Sequence, residues 1–339
     1  MFGLDKLADR DFVVAYVMPV LIGCCAVAFL FRETGQAHAI YQAILEERSF
    51  TSLTLLVLAV WGIAILLMTW NHALYRALEG YWGPLKRDNW VEEWKDQFDD
   101  ELNVLEKQKE AIETLPEGRD RDAEMGTYIK ALIARREKYP YRRDLILPTR
   151  FGNVLKAFET YSLDIYGIDS IPAWSRIIAM VPDSFAAQIS GARATVSFFV
   201  NLWAICLLVS SIAFAKLIAA CVWESIRTGW QTPASALEPT IALLVALGLS
   251  YPCYEWAVSS AIAWGDLVKS TFDLYLPALA KQLGYQLPSS AARRREFWGE
   301  ITSTFLALEA IQPEKWPAAD GKLTPVGKRP ARQSKRSRS

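Results

Sequence analysis

The chain is poor in the side chains that carry most soluble chemistry. It has 2 histidines, His38 and His72, far apart in sequence, so a histidine-based metal site has little to draw on. Its 5 cysteines are Cys24, Cys25, Cys206, Cys221 and Cys253, and they form no CxxC pair and no Cys/His cluster. Each falls inside or at the edge of an apolar run, where cysteine packs as a small hydrophobe, so a disulfide framework is not expected. There is no Gly-rich phosphate loop, no HExxH and no GxSxG, which removes the signatures of nucleotide hydrolysis, zinc proteolysis and serine hydrolysis. Acid clusters such as Asp99-Asp100-Glu101 fall on the polar side of a charged helix and read as a solvated face. The chain is therefore not expected to be an enzyme or to hold a cofactor or metal.

Charge of one sign is also lacking, with 37 Lys and Arg against 37 Asp and Glu. The charges are unevenly spread, however, and cluster between Lys86 and Arg176 and in the tail. The sequence is rich in apolar residues, at 52%, and in tryptophan, at 13. Four mostly apolar stretches, the last two each holding one charge, reach the roughly 20 residues that cross a bilayer as a helix. They are Val13 to Phe31, Leu53 to Trp70, Ser197 to Trp223, and Pro239 to Gly265. The first contains Pro19, which a membrane helix tolerates with a kink. It is too long for a cleaved leader. Leu21-Ile22-Gly23-Cys24 looks like a lipoprotein box, but the apolar run continues to Phe31, where a mature lipoprotein turns polar.

The basic residues set the orientation. The segments 32–52 and 224–238 carry only Arg32, Arg48 and Arg227, whereas the middle region and tail carry nearly all other lysines and arginines. By the positive-inside rule both termini and the middle region are cytoplasmic and the two short loops face outward. Trp70, Trp223 and Trp230 fall near the expected interfaces, where aromatic rings favour the headgroup zone. The expected fold is all-α, a four-transmembrane-helix membrane protein with a helical cytoplasmic domain. Its layout is a cytoplasmic N-terminus (1–12), spans at 13–31 and 53–70 around an outer loop (32–52), and a helical cytoplasmic domain (71–196). Spans at 197–223 and 239–265 follow around a second outer loop (224–238), then cytoplasmic helices (266–312) and a disordered basic tail (313–339).

Within the cytoplasmic region, Asn71 to Glu79 prolongs the second span until Gly80, Gly83 and Pro84 break it. Val91, Trp94, Phe98, Leu102, Leu105 and Ile112 recur at steps of three or four and predict an amphipathic helix from Asn89 to about Leu115. A second helix, from about Ala123 to Lys138, puts Met125, Tyr128, Ile129, Leu132 and Ile133 on one face, and the two read as an antiparallel hairpin. The stripe Trp94, Phe98, Leu102 and Leu105 either packs within the hairpin or offers a surface to a soluble partner. Thr149 is set to cap a helix through Tyr161, and Gly167 to end it. Pro182-Asp183 opens a helix that runs on into the third span. After the fourth span, Asp266 to Leu287 has helical spacing with a bend at Pro277, and a further helix covers Ala291 to Ile311. Beyond Pro313 the composition turns to Gly, Pro, Lys, Arg and Ser, and no acid follows Asp320. Lys322 to Ser339 reads as disordered, with cations suited to anionic lipid headgroups. Nucleic acid is not an expected partner, because no aromatic residue is interleaved for stacking.

Glu255 is the most informative residue. A carboxylate inside a span is costly unless it faces protein or water. Glu255, Ser259 and Asp266 share one face of the fourth span, and Cys253, Ala257, Ala261 and Gly265 share another at steps of four. The small face suits close helix packing. The polar face would meet a pore, a cavity or another span's polar group, and a buried structural hydrogen bond is the plainer reading of Glu255. Lys216 is a candidate counter-ion, but its depth differs from that of Glu255 by roughly 10 Å, so it is expected to snorkel outward. Asp266 and Lys269, three apart, suit a surface pair.

Leu147-Pro148-Thr149-Arg150-Phe151-Gly152-Asn153, followed by Tyr166-Gly167-Ile168-Asp169 and Trp174, resembles a motif set of a family of uncharacterised bacterial multi-pass membrane proteins. Ala263-Trp264-Gly265-Asp266-Leu267-Val268-Lys269 with Phe272-Asp273-Leu274 resembles a second signature of the same family. The resemblance spans roughly Leu147 to Leu287 and implies architecture and a bacterial inner membrane, with no activity attached. Four spans are too few for a transporter built from internal repeats. The expected function is a homo-oligomeric channel-like or pore-forming membrane effector gated through its cytoplasmic helices. The alternative is a non-conducting anchor or scaffold that recruits a soluble partner. The bilayer and further copies of the chain are the expected partners.

Overall fold

A long apolar run away from water can satisfy its backbone N–H and C=O groups only by coiling, and each such run in this chain is a helix. The structure, a computed structural model, describes residues 9–32, 50–82, 87–228, 236–307 and 315–316. Among these residues the regular structure is entirely helical. The two loops read as outer, the break at Gly83–Pro84, Trp230 and the tail from Lys322 lie wholly or in part outside the described residues.

In chain order the helices are α1 (Arg10–Leu30), α2 (Phe50–Leu78), α3 (Asp88–Thr114), α4 (Arg119–Lys138) and α5 (Arg150–Glu159). Then come α6 (Tyr161–Tyr166), α7 (Ser170–Ile177), α8 (Asp183–Thr228), α9 (Leu237–Gln282) and α10 (Ala291–Ala307). Four of them, α1, α2, α8 and α9, are long and apolar enough to cross a membrane. The last two outrun the sequence boundaries. Each has 46 residues, or about 69 Å, more than twice the roughly 30 Å of a hydrocarbon core. Asp183 stands in the first turn of α8, where a carboxylate complements the helix dipole. The segment after Asp266, expected as a separate helix, is the continuation of α9 through Pro277 to Gln282. Gly284, at φ +89°, lies just beyond it.

The chain divides into two compact units, Met1–Tyr161 with Pro182–Lys269, and Ser162–Val181 with Ser270–Ser339. In the first, Phe12, Val20, Val60 and Ala64 form one apolar cluster of α1 and α2. Leu30, Val209, Ala213 and Ala246 join α1, α8 and α9 in another. Pro19 lacks the N–H that would serve the Ala15 carbonyl four residues back. The chain answers with a π-helical stretch, Val13–Val17, and with the fully buried Asn201, whose Nδ2 donates to Ala15 O at 2.8 Å. Nearby, Ser197 takes hydrogen bonds with Asn71 (3.5 Å) and Tyr75 (3.1 Å) of α2.

α3 and α4 form the antiparallel hairpin. Phe98 is packed with Tyr139, Ile146 and Trp94, the Arg135 guanidinium lies 4.0 Å from the Phe98 ring, and Lys138 pairs with Glu101 at 2.5 Å. The stripe Trp94, Phe98, Leu102 and Leu105 is thus no open surface, since Phe98 and Leu105 are buried and Trp94 and Leu102 partly so. Packing inside the hairpin removes apolar area from water without needing a partner. The large apolar residues left exposed are Val104 of α3 and Ile129 and Ile133 of α4.

The second unit has its own core, in which Phe272, Phe297, Ile301, Ile168 and Ile177 are fully buried. Gly167 adopts φ +83°, and a Cβ there would lie 2.7 Å from the Arg295 carbonyl oxygen. Asp169 caps α7 by accepting from Ile171 N at 3.0 Å. Tyr166 donates to Asp273 at 2.7 Å, and Trp174 stacks on Phe272 with centroids 6.1 Å apart. Trp316, inside the segment read as tail from 313, is buried and donates to Glu300 at 2.6 Å.

Candidate functional site

The residues from Leu147 to Asn153 build a clasp between the end of α2 and the middle of α9. Asn153, fully buried, closes the loop on itself, since its Oδ1 accepts from Leu147 N at 2.7 Å and its Nδ2 donates to Leu147 O at 3.0 Å. Thr149 serves two helix ends at once. Its hydroxyl accepts from Gly152 N at 3.0 Å as the cap of α5 and donates to Leu78 O at 2.6 Å, a terminal carbonyl of α2 that lacks an intrahelical donor. Two glycines permit this approach. A Cβ on Gly152 would lie 2.7 Å from Glu79 O, and Gly80, at φ +87°, would put one 2.3 Å from Pro148 Cγ. Phe151 is wholly buried, edge-on to Tyr75 at 5.6 Å, and its N–H donates to the Tyr254 hydroxyl at 3.3 Å.

Arg150 completes the clasp. Its Nη1 meets Glu255 Oε2 at 2.7 Å, so the carboxylate singled out from the sequence has a counter-ion on α5. The two side chains are 42% and 33% exposed. A pair that wet is worth about 1 kcal/mol or less. It fixes register between α5 and α9 and is more exposed than the buried threonine and asparagine bonds around it. The rest of the polar face is more open, with Ser259 and Asp266 exposed and Asp266 paired with Lys269 at 3.1 Å. On the small face Cys253, Ala257, Ala261 and Gly265 are all buried. Gly265 seats the Phe158 ring, and a Cβ there would fall 2.5 Å from Phe158 Cδ1. Trp264 meets the same ring edge-on at 5.0 Å.

Lys216 belongs to the opposite end of the helices. Its ammonium donates to Leu30 O and lies 3.6 Å from Glu238, which Arg32 also approaches at 3.7 Å. Beside the clasp, Arg76 lies 3.5 Å from Glu79. Burial, and after it the Glu159 carboxylate, push the Glu79 carboxyl up to about 7, against the pull of Arg76 and Lys156. Among the described residues no three His, Cys, Asp or Glu side chains come together to hold a metal ion.

No family model matches the chain. No curated protein and no solved structure matches it either.

Sequence reasoning missed Arg150, Tyr254, Asn201 and Glu79. For two of them a signal existed. Pro19 inside a span announces an orphaned carbonyl, and Asn201 is the amide of the third apolar run that can reach it. A helix that opens on Thr149-Arg150 projects a cation from its first turn, the least favourable end for one, so that Arg150 needs an anion close by. Tyr254 and Glu79 gave no such hint, because their roles depend on which helices become neighbours.

Proposed function

We propose that the chain is a multi-pass protein of a bacterial inner membrane, with both termini and the segment 71–196 cytoplasmic. Several copies would assemble into a channel-like or pore-forming effector gated through the cytoplasmic helices. The observation that carries the membrane reading is the uncovered apolar surface of the long helices. On α2, Leu55, Leu58, Leu66 and Trp70 are all more than 60% exposed, and on α9 so are Leu244 and Tyr251. Leaving such side chains in water costs about 2 kcal/mol each, and no soluble fold tolerates a continuous patch of them.

The polar levels along the helices fit a bilayer. Lys216 with Leu30 O and Glu238 marks one level, and Ser190, which donates to Asp11 at 2.5 Å, marks the other. Along α8 they are about 39 Å apart, near the roughly 40 Å from headgroup to headgroup. Glu255 follows Leu237 by about 27 Å, so it falls past the middle of that interval, in its inner half toward the cytoplasmic side. There it acts as half of a latch, and opening the Arg150 pair would free a carboxylate at the cytoplasmic mouth. We assign the chain no catalytic role.

Purified protein reconstituted in planar bilayers should conduct. Arg150→Ala and Glu255→Gln should shift open probability or selectivity in the same direction, and the double variant should add little, as expected for two partners of one contact. A silent bilayer from a strictly monomeric protein removes the channel. A second reading, the non-conducting scaffold, draws on Ile129 and Ile133, left uncovered on α4. It would be favoured by a silent bilayer together with a soluble protein that co-purifies and is lost from an Ile129→Ser, Ile133→Ser variant.

A further inference from the structure

The first unit encloses a cavity of about 870 Å³ between α1, α8 and α9. It lies toward the end of the helices that carries Lys216, away from the clasp. Its walls are apolar, with Leu202, Ile205 and Val209 from α8 and Ala242, Val245 and Ala246 from α9. It opens sideways, because Ile22, Phe29, Ile241, Val245 and Leu249 are 44–56% exposed along its edge. From its charged end it extends about 16 Å along α9, Glu238 to Leu249, and about 21 Å along α8, Lys216 to Leu202. One leaflet of a bilayer is about 15 Å deep. An apolar space of that length and volume is not left empty, since lining atoms without neighbours forfeit their dispersion contacts.

The charged end is specific. Lys216, Arg32 and Glu238 line it together. The contacts of Glu238 with Lys216 and Arg32, 3.6 and 3.7 Å, are ion pairs too long for hydrogen bonds. Glu238 Oε1, the oxygen that faces the Lys216 ammonium at 3.6 Å, is buried and accepts no hydrogen bond among the described residues. A buried carboxylate oxygen without a donor is costly and marks a place where a donor belongs.

We propose that this cavity is a binding site for a phospholipid with a primary-amine headgroup. The acyl chains would fill the apolar groove, the phosphate would face Lys216 and Arg32, and the ammonium would donate to Glu238 Oε1. The site rests on the membrane placement argued above and is independent of conduction.

The test uses the full chain, purified in mild detergent, stripped of lipid, and titrated with dipalmitoyl phosphatidylethanolamine or with the phosphatidylcholine of the same chains. The second headgroup has the same charges and no N–H. Bound lipid is counted by native mass spectrometry. The amine lipid should bind about tenfold more tightly, the difference one charge-assisted hydrogen bond makes. Glu238→Leu should erase the preference and retain binding, whereas Val245→Trp, which fills the groove from an exposed wall, should weaken both lipids. Circular dichroism checks that each variant keeps its helices. Equal retention of the two lipids, tighter binding of the phosphatidylglycerol analogue, or an unchanged preference in Glu238→Leu would overturn the site. Floating the same protein with vesicles separates the two claims, since a chain that floats without headgroup preference loses this site only, and one that does not float loses the membrane placement as well.

Discussion

Among single residues, the most sensitive to conditions is Glu79. Its ordinary value is 4.5 and burial raises it to about 7. Below about pH 4.5 it is protonated folded or unfolded. Between those values the folded state holds a proton that the unfolded state has released, so the contribution of Glu79 to stability falls as pH rises and is gone once pH has passed through about 7. In detergent the apparent Tm should therefore drop from pH 6 to pH 8, and Glu79→Gln should flatten that slope. An unchanged slope in the variant would show that Glu79 is ordinary. The facing groups are Arg76, Lys156 and Glu159, and only Glu159 pushes in the same direction as burial. None of this was legible in the sequence, where Glu79 is one acid after a span. Thr149 was legible as a cap because its role is local. Its second bond, to Leu78 O across 71 residues, was not.

For the helices, periodicity did most of the work where burial is one-sided. The hairpin α3–α4, the cap at Thr149 and the continuity of Asp183 into α8 follow from spacing, caps and breakers that act within a few residues. Ends were misjudged where an apolar run passes into an amphipathic one without a breaker, as at Gly265 in α9. Glycine there suggests a helix end, yet it is the seat for Phe158. The segments Leu147–Trp174 and Ala263–Leu274 are far apart in sequence, and residues of the two meet within each unit. Phe158 meets Trp264 and Gly265 in the first unit, and Tyr166 and Trp174 meet Asp273 and Phe272 in the second. Gly265→Leu should accordingly cost about 1–3 kcal/mol by overpacking the Phe158 contact. Gly62 of α2, where a new Cβ meets nothing within 4 Å, is the control, and Gly62→Ala should be neutral or stabilising. Thermal unfolding in detergent measures both, and equal effects would contradict the packing of α9 on α5.

At the scale of the whole molecule, composition already separates the long apolar helices from the charged hairpin. Hydropathy could not say where the spans stop. The proposed levels are paired polar groups, Lys216 with Glu238 at one end and Ser190 with Asp11 at the other, which come together only once the helices are side by side. The proposed sidedness rests on the bilayer accepting four apolar helices while lysine and arginine would hold the hairpin in the cytoplasm. The most direct test inserts one reporter in the turn between α3 and α4, at Glu117, and a second at the carboxyl end, and reads their accessibility in intact cells. Both should be cytoplasmic, with the protein extracted from membranes only by detergent. Reporters on opposite faces, or a chain that stays in solution without detergent, would contradict it.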